Sequence, residues 1–265
     1  GPAAAGPAAP REGHELLRAA APRAASATRI LCVSDTHDQH MFMPHELPAA
    51  DILVHAGDFT CRGGREELES FRAWTDSLLE KGTVRDIVFI AGNHELSIEL
   101  KAKNPTVLRN QETLKRMLVE RPHVHYLEDS GCEVQGIRFY GSPWCTRFGR
   151  DWAFQLADSP VELGARYALI PEGVDVLVTH QPPLGQGDKN ECDSRTGSRT
   201  LMERVKTVAP LLHVFGHIHT GHGVSTHEEV ATLFINAAIC DEDYKPIQKP
   251  VLVELVEQAE LAHDS

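Results

Sequence analysis

The sequence predicts an α/β fold in which mixed β-sheets are covered by helices. Short runs of β-branched and apolar residues alternate with segments of helical period from residue 28 onward. More strand-like runs follow toward the carboxyl end. Chains that alternate strands and helices in this way form layered sheets with helices on their faces. The hydrophobic content of 42% in 265 residues is sufficient for a sizeable core.

The predicted strands are short and apolar, and each is bounded by residues typical of turns. Their lengths are far below the roughly 20 apolar residues that a membrane span requires. We therefore expect no contact with a membrane. The segments, in chain order, are RILCVS, ADILVHA, DIVFIA, VHYL, CEVQ, IRFYG, VDVLVTH, LLHVFG, GVSTH, ATLFINA and VLVEL.

Helices are predicted between these strands wherever apolar residues recur every three or four positions. In the first, Leu68, Phe71 and Leu78 recur at helical spacing, which is typical of a stripe that faces a core. The predicted helices lie near residues 65–81, 111–120, 160–169 and 200–208.

The Ala/Pro-rich opening, residues 1–27, is predicted to be a flexible segment outside the fold. It has no apolar signal core, so a cytoplasmic protein is expected, with an organelle transit remnant left open. Residues 28–265 are then predicted to form one domain. The six cysteines are scattered and form no CxxC pair, which favours free thiols in a reducing compartment.

The formal net charge of -12 bears on the partners of the chain. An acidic protein has no broad attraction to nucleic acid backbones or anionic membranes. We therefore expect no binding to nucleic acid duplexes. A phosphate-bearing ligand must be attracted by a local positive site, so a small phosphoester or nucleotide is the expected partner. The oligomeric state is left open.

Polar residues recur where the predicted strands end. The carboxyl ends of strands are where open α/β sheets build ligand sites. Taken singly, each motif is also compatible with a turn or a hydrogen-bonded surface histidine. Their recurrence in order at five strand ends predicts a shared site. The motifs are Asp35-Thr36-His37, Gly57-Asp58, Gly92-Asn93-His94-Glu95, His180, and His217-Ile218-His219.

These residue types are those that transition metals bind. Oxygen and imidazole donors together suit Mn, Fe or Zn, and a carboxylate can bridge two ions roughly 3.5 to 4 Å apart. Two such ions lower the pKa of a shared water and hold the attacking and leaving oxygens at phosphorus. Two divalent ions with Asp35, Asp58 and a hydroxide leave about one positive charge to receive phosphate.

In this order the motifs resemble those of the calcineurin-like metallophosphoesterases. The resemblance spans most of the chain after residue 28, and five ordered motifs are far more specific than any one alone. The stretches GDFT, IAGNHEL and GSPW are similar to those of the small metallophosphoesterase-domain proteins of the brain phosphodiesterase group.

This resemblance implies a four-layer α/β/β/α sandwich with a dinuclear centre between two sheets. The ions implied are two divalent transition metals, with Mn favoured and Fe or Zn as alternatives. His94 is implied to face the substrate as a catalytic residue. The implied ligands are Asp35, His37 and His219 for the first ion, Asn93, His180 and His217 for the second, and Asp58 as the bridge.

Several nearby residues depart from the motifs or have alternative roles. Cys61 stands where related Ser/Thr protein phosphatases have an Asp that supports the catalytic histidine, and Arg62 is either a phosphate contact or an exposed loop residue. Gln181 occupies a position where the subgroup commonly has glycine.

His222 has no motif match and is expected to be hydrogen-bonded or exposed, whereas His55 is expected to pack in the core. Trp144, Phe148 and Trp152 form either an aromatic wall for a base or part of the core.

The predicted function is metal-dependent hydrolysis of a phosphodiester, including a cyclic nucleotide as candidate, by a hydroxide that bridges the two ions. The near-neutral charge of the site favours a monoanionic diester over a dianionic monoester. One alternative is a phosphomonoesterase or Ser/Thr protein phosphatase. An alternative of another class is a protein-interaction scaffold with the same fold, as the retromer scaffold subunit illustrates, but retention of every implied ligand argues against it.

Overall fold

The computed structural model describes residues 16–20, 27–101 and 103–256. Its strands are β1 (Leu16–Ala20), β2 (Thr28–Val33), β3 (Ile52–His55), β4 (Asp86–Phe89), β5 (Val124–Tyr126), β6 (Ser130–Val134), β7 (Ile137–Ser142), β8 (Cys145–Thr146), β9 (Gln155–Leu156), β10 (Val176–Thr179), β11 (Leu212–Phe215), β12 (Gly223–His227), β13 (Val230–Asn236) and β14 (Val251–Val256). Eleven of these strands lie where the apolar runs predict them, within one or two residues at most ends, whereas β1, β8 and β9 were not predicted.

The α-helices are α1 (Arg65–Glu80), α2 (Pro105–Val119), α3 (Leu163–Tyr167) and α4 (Arg199–Val208). Helix α2 begins earlier than the apolar spacing predicts, because Asn104 caps it by accepting hydrogen bonds from the backbone of Thr106 and Val107. Pro105 follows at the first helical position, where its missing N–H costs no hydrogen bond. No described helix has the length and apolar character of a membrane span.

Two mixed six-stranded sheets form the centre of the fold. The first has the order β1-β14-β2-β3-β4-β5, and β2 to β5 run parallel to one another. The second has the order β12-β13-β11-β10-β7-β6, in which β13, β11, β10 and β7 are parallel. The antiparallel strand β6 forms one edge of the second sheet and β12 the other.

The two sheets pack face to face through a layer of aliphatic side chains. Ile30, Val54 and Val88 of the first sheet share a buried cluster with Val178 and Val214 of the second. Residues that alternate with these point to the opposite face of each sheet, because successive strand side chains alternate. Both sheets therefore carry a second apolar face that needs a cover.

Helices provide that cover on both outer faces. Leu68 and Phe71 of α1 pack with Leu53 on the outside of the first sheet, and α2 joins the same cluster through Leu118. On the second sheet, α3 and α4 pack over Leu177, Phe215 and Phe234. The order helix, sheet, sheet, helix confirms the predicted four-layer α/β/β/α sandwich.

The opening segment differs from its prediction. Leu16–Ala20 form β1, which pairs in parallel with β14 at an edge of the first sheet. Leu17 and Ala19 pack against the cluster between the sheets, and Arg18 forms an ion pair with Glu254 of β14. The prediction that residues 1–27 lie outside the fold is therefore wrong for Leu16–Ala20. Residues 1–15 and 21–26, to which the prediction of flexibility also applied, lie outside the described residues.

Candidate metal centre

The predicted site residues meet at the carboxyl ends of parallel strands in both sheets. Asp35 and His37 follow β2 with φ of 51° and 41°, in the left-handed region that most side chains avoid. Backbone hydrogen bonds hold this turn to the next loop, from Asp35 N to Gly57 O at 2.9 Å and from His37 N to Asp58 O at 3.0 Å. The loops after β2 and β3 therefore form one unit.

Glycines allow these loops to approach one another closely. Gly57 has φ of 97°, and a β-carbon there would lie 2.8 Å from both the Ala91 carbonyl oxygen and His180 Nδ1. A β-carbon at Gly92 would lie 2.3 Å from Asp58 Oδ1. Any side chain at either position would displace a predicted ligand.

The buried carboxylate of Glu95 links the loops after β3 and β4. It accepts hydrogen bonds from the backbone N–H groups of Asp58 (2.9 Å), Thr60 (2.9 Å) and Gly92 (2.6 Å), and from Thr60 Oγ1 at 2.8 Å. Burial, together with the charge of Asp58, raises the pKa of Glu95 to about 8, while these donors act in the opposite direction. Glu95 belongs to the GNHE motif, which by itself predicts no role for this residue; in the structure it sets the position of Asp58.

Asp35, His37 and His219 form one group of donors that could hold a metal ion. The Nε2 atoms of His37 and His219 are 3.2 Å apart, and His219 Nε2 lies 3.4 Å from Asp35 Oδ1. The Asp35 carboxylate is also fixed from the second sheet, because His217 N donates to both of its oxygens at 3.0 Å. The predicted first-ion ligands therefore converge.

A second group contains Asp58, His180 and His217. His180 Nε2 lies 3.1 Å from Asp58 Oδ2 and 3.0 Å from the side-chain oxygen of Asn93. A third group contains His37, Asp58 and His94 and overlaps the other two. The third group shares His37 with the first and Asp58 with the second, so it connects them. Bridging of two ions by Asp58 stays a prediction.

The ring orientations of three histidines fit metal binding. Nδ1 of His37, His180 and His219 contacts the backbone carbonyl oxygens of Thr60 (3.2 Å), Ala56 (2.9 Å) and Asp241 (2.8 Å), respectively. A carbonyl only accepts hydrogen bonds, so each Nδ1 carries the proton. In the neutral ring, Nε2 then presents a lone pair to the centre, which is the arrangement that metal-binding histidines adopt. The donor set therefore fits borderline divalent ions.

In the metal-free protein, burial and the nearby carboxylates shift the pKa values of the histidines in opposite directions. Burial disfavours charge on His180, but the nearby Asp58 carboxylate outweighs it and raises the pKa of His180 to about 9. Burial likewise opposes charge on His219, yet its hydrogen bond to Asp35 raises its pKa to about 9. For His37 and His217 burial dominates and lowers the pKa to about 4 and about 3. These two rings are neutral at physiological pH.

His94 lies beside these groups, with Nε2 3.9 Å from Asp58 Oδ2. Its Nδ1 donates to the backbone carbonyl of Cys61 at 2.6 Å, and its backbone N donates to Asp58 Oδ1 at 2.8 Å. The Cys61 thiol points elsewhere and contacts the His37 carbonyl oxygen at 3.2 Å. The main chain of residue 61, and not its side chain, thus supports the His94 ring.

A pocket of about 260 Å³ opens over these residues. Phe148 lies 5.2 Å from His217 and Trp152 lies 4.3 Å from His94, measured between ring centres, so both aromatic rings adjoin the centre. Trp144 does not, since it packs against Phe154 and donates Nε1 to Asp129. The pocket is lined by Asp58, Asn93, His94, Phe148, Trp152, Asn190, Glu191, His217, Ile218, His219, Thr220, Glu242 and Tyr244.

The remaining residues singled out from the sequence lie outside this lining. The guanidinium carbon of Arg62 lies 5.2 Å from the centre of the Trp152 ring, so its contact with phosphate stays a prediction. His222 belongs to none of the donor groups among the described residues. His55 is buried, as expected, and packs edge-on against Phe59 and Phe71.

Gln181 is also buried, and its hydrogen bonds explain why a glutamine stands at this position. Its side-chain oxygen accepts from Thr146 N at 2.9 Å, and its side-chain nitrogen donates to Thr196 O at 2.9 Å. Gln181 therefore connects the loop that carries Phe148 with the loop that carries Asn190 and Glu191. A glycine at this position could make neither hydrogen bond.

Comparisons with known proteins agree with this geometry. Residues 28–221 match the family model described as calcineurin-like phosphoesterase. The human metallophosphoesterase domain-containing protein 1 is 38% identical over 251 residues, which cover 89% of this chain and 73% of that protein. A UPF0046 protein of Caenorhabditis elegans is 35% identical over 239 residues, covering 86% of this chain and 80% of that protein.

Solved structures share the fold at low sequence identity. The crystal structure of the protein TT1561 from Thermus thermophilus superposes with a TM-score of 0.51 and 14% identity. The match covers 80% of this chain and 89% of that one. At this identity the likeness concerns the fold alone.

Proposed function

The chain belongs to the calcineurin-like phosphoesterase family, and on that premise we propose that it hydrolyses phosphodiesters with the aid of two divalent transition-metal ions. The resemblance predicted from its motifs is thereby confirmed, and the chain is a metal-dependent phosphoric ester hydrolase. The finer assignments of ligands, metal and substrate that follow are our proposal. Their main support is the convergence of buried carboxylate, amide and imidazole donors around Asp58.

We assign the ligands as the sequence predicts, and the proximity of their donor atoms supports this assignment. Asp35, His37 and His219 would hold one ion, Asn93, His180 and His217 would hold the other, and Asp58 would be shared. Mn²⁺ is the favoured metal, with Fe or Zn as alternatives, since all accept mixed oxygen and imidazole donors. When bound, the ions supply Lewis acidity and lower the pKa of a coordinated water.

His94 is assigned the role of proton donor to the departing oxygen. Its Nδ1 is held by the Cys61 carbonyl, so the ring presents Nε2 beside Asp58 and toward the pocket. In its protonated form, Nε2 can give a proton to the alkoxide that leaves phosphorus. The neighbouring Trp152 ring limits the access of water to one side of His94.

The charge of the pocket favours a diester over a monoester. Beyond the proposed metal centre, its charged lining residues are Glu191 and Glu242, and no Lys or Arg lines the pocket among the described residues. A dianionic monoester would meet both carboxylates without a compensating side-chain cation. A monoanionic diester meets less repulsion, and the same argument disfavours substrates with several phosphates.

The aromatic rings indicate where an ester group binds. Phe148 is 56% exposed and lies 6.3 Å from Trp152 between ring centres, so the two form a partly open apolar wall above His94 and His217. A planar group such as a nucleobase can stack on this wall. A cyclic nucleotide therefore remains our candidate substrate, and small phosphoesters rather than duplex nucleic acids are the proposed partners.

A comparison of two nitrophenyl esters tests the diester assignment. Under one Mn²⁺ concentration, kcat/KM for bis-p-nitrophenyl phosphate should exceed that for p-nitrophenyl phosphate. A clear preference for the monoester would instead favour a phosphomonoesterase or protein phosphatase. Absence of hydrolysis of either ester and of cyclic nucleotides, with metal bound, would favour an interaction scaffold.

A charge-neutralising variant tests the reason we give for this preference. Replacing both Glu191 and Glu242 with Gln should raise kcat/KM for the monoester more than for the diester, because the dianion experiences twice the repulsion. Glu112→Gln, on the exposed side of α2, is the matched control for a lost surface charge. An equal effect on both esters would remove the electrostatic argument.

A further inference from the structure

Tyr244 is an aromatic residue of the pocket that no sequence motif identifies. It lies in the loop between β13 and β14 and is 46% exposed. Its ring centre is 4.7 Å from that of His37, 5.7 Å from that of His219 and 6.1 Å from that of His94. The phenol therefore stands over the junction between the first donor group and the proposed proton donor.

The backbone at Tyr244 is held in an unfavourable conformation. Its φ is 59°, in the left-handed region that is uncommon for a bulky residue. Hydrogen bonds to Asp241 stabilise the turn, from Tyr244 N to Asp241 O at 3.0 Å and from Lys245 N to Asp241 Oδ1 at 2.8 Å. The same Asp241 carbonyl accepts from His219 Nδ1. One turn thus orients a proposed ligand and places Tyr244 beside it.

We propose that Tyr244 is a substrate-contacting residue whose hydroxyl donates a hydrogen bond to the phosphoryl group of the bound ester. This inference rests on the proposed function of the same pocket. A phenol hydroxyl is an uncharged hydrogen-bond donor. It can therefore contact an anionic oxygen without adding the positive charge that the pocket lining lacks.

Two other neutral groups in the lining, Thr220 and Asn93, are held by other contacts. The Thr220 hydroxyl already donates to the Lys189 carbonyl oxygen at 2.5 Å. The proposed ligand Asn93 directs its side-chain oxygen to His180 at 3.0 Å and faces the other side of the centre. Tyr244 carries a hydroxyl on a ring that lies next to both His37 and His94.

Tyr244→Phe tests the proposal, because it removes the hydroxyl and retains the ring beside His37. Tyr140→Phe is the matched control, since the Tyr140 hydroxyl is buried, has no hydrogen-bond partner among the described residues and lies in the cluster under α3 and α4. Two properties of the Mn²⁺-loaded proteins are measured: the dissociation constant of inorganic phosphate by calorimetry, and kcat/KM for bis-p-nitrophenyl phosphate. Metal content and Tm are recorded for each variant.

For Tyr244→Phe we expect phosphate to bind more weakly and kcat/KM to fall, each by roughly ten- to a hundredfold, the effect of losing a hydrogen bond to a charged group. Metal content and Tm should equal those of the wild type. Tyr140→Phe should change neither phosphate affinity nor kcat/KM. A Tyr244→Phe protein with wild-type phosphate affinity and kcat/KM would overturn the proposal. Loss of metal would also overturn it, because it would show that Tyr244 acts through the metal ligands.

A second variant separates contact with substrate from support of the fold. Glycine adopts positive φ without strain, so Tyr244→Gly should keep or raise Tm while phosphate affinity falls. A lower Tm with unchanged phosphate affinity would assign Tyr244 to structure alone and contradict the proposal. Because phosphate affinity is measured without turnover, this test stands even if the wild type fails to prefer diesters.

Discussion

The backbone carbonyl of Cys61 accepts a hydrogen bond from Nδ1 of His94 at 2.6 Å. This contact fixes the ring so that Nε2 lies 3.9 Å from Asp58 Oδ2, at the edge of the pocket. The support for His94 comes from the main chain and does not depend on the side chain at residue 61. The departure from the Asp found in protein phosphatases therefore leaves the orientation of His94 intact.

Cys61→Ser should consequently retain most of the activity. The carbonyl remains, and a serine hydroxyl can replace the thiol as donor to the His37 carbonyl oxygen. We expect kcat/KM to stay within about fivefold of the wild type, the range of one ordinary hydrogen bond. Steady-state kinetics with bis-p-nitrophenyl phosphate check this, and a loss of a hundredfold or more with metal retained would mean that the thiol itself takes part.

His94→Ala should keep both metal ions and lose activity according to the leaving group. General acid catalysis contributes roughly 10² to 10⁴-fold, and a nitrophenolate needs little of it whereas a ribose alkoxide needs much. The loss should therefore be modest on bis-p-nitrophenyl phosphate and far larger on a cyclic nucleotide. Equal losses on both substrates would point to phosphate positioning, and loss of metal would place His94 among the ligands or their support.

Gly216→Ala should remove metal from the centre. A β-carbon at Gly216 would lie 1.9 Å from Asp35 Oδ2 and 2.1 Å from Ser34 Oγ, so the Asp35 carboxylate must move. We expect metal content and activity to fall together. Gly164→Ala in α3 is the control, because its β-carbon would be 3.1 Å from its nearest neighbour, Ser159 O, and far from the ligands. A fully loaded, active Gly216→Ala protein would show that Asp35 is not held as described.

Metal affinity should rise with pH. The carboxylate partners of His180 and His219 raise the pKa of each ring from 6.5 to about 9. In the metal-free protein, the resulting ion pairs therefore stabilise the fold fully below pH 6.5. That stabilisation is lost as pH rises through about 9. A metal ion binds only the neutral form of the two rings, so each ring must lose its proton first. Binding therefore releases protons, and affinity should increase by roughly tenfold per pH unit for each proton released. Titrations with Mn²⁺ between about pH 6.5 and 8.5 check this; affinity independent of pH would contradict it.

The layered sheets and the donor residues could be predicted because their signals are local. Apolar runs set the strands, and the polar residues directly after them are carried to one edge by parallel pairing. Only the structure shows that His37 and His219, far apart in sequence, bring Nε2 atoms within 3.2 Å.

Other features depend on contacts that no local pattern records. The strand β1 is short and follows an Ala/Pro-rich stretch, and it forms because β14 offers an unpaired edge. Tyr244 reaches the pocket only through the Asp241 turn, and Gln181 acquires its role from two loops that the sequence does not connect. The role of Glu95 has a partial signal in the GNHE motif, because a carboxylate that is buried next to predicted ligands must accept hydrogen bonds.

The number of metal ions bound per chain tests the central claim most directly. Elemental analysis after equilibrium dialysis against Mn²⁺ should give about two ions for the wild type, because the donors exceed what one ion requires. Asp58→Ala, which removes the shared carboxylate, should weaken both sites and abolish activity, whereas His222→Ala should keep about two. A wild-type stoichiometry that stays near one at saturating Mn²⁺ would contradict the dinuclear centre.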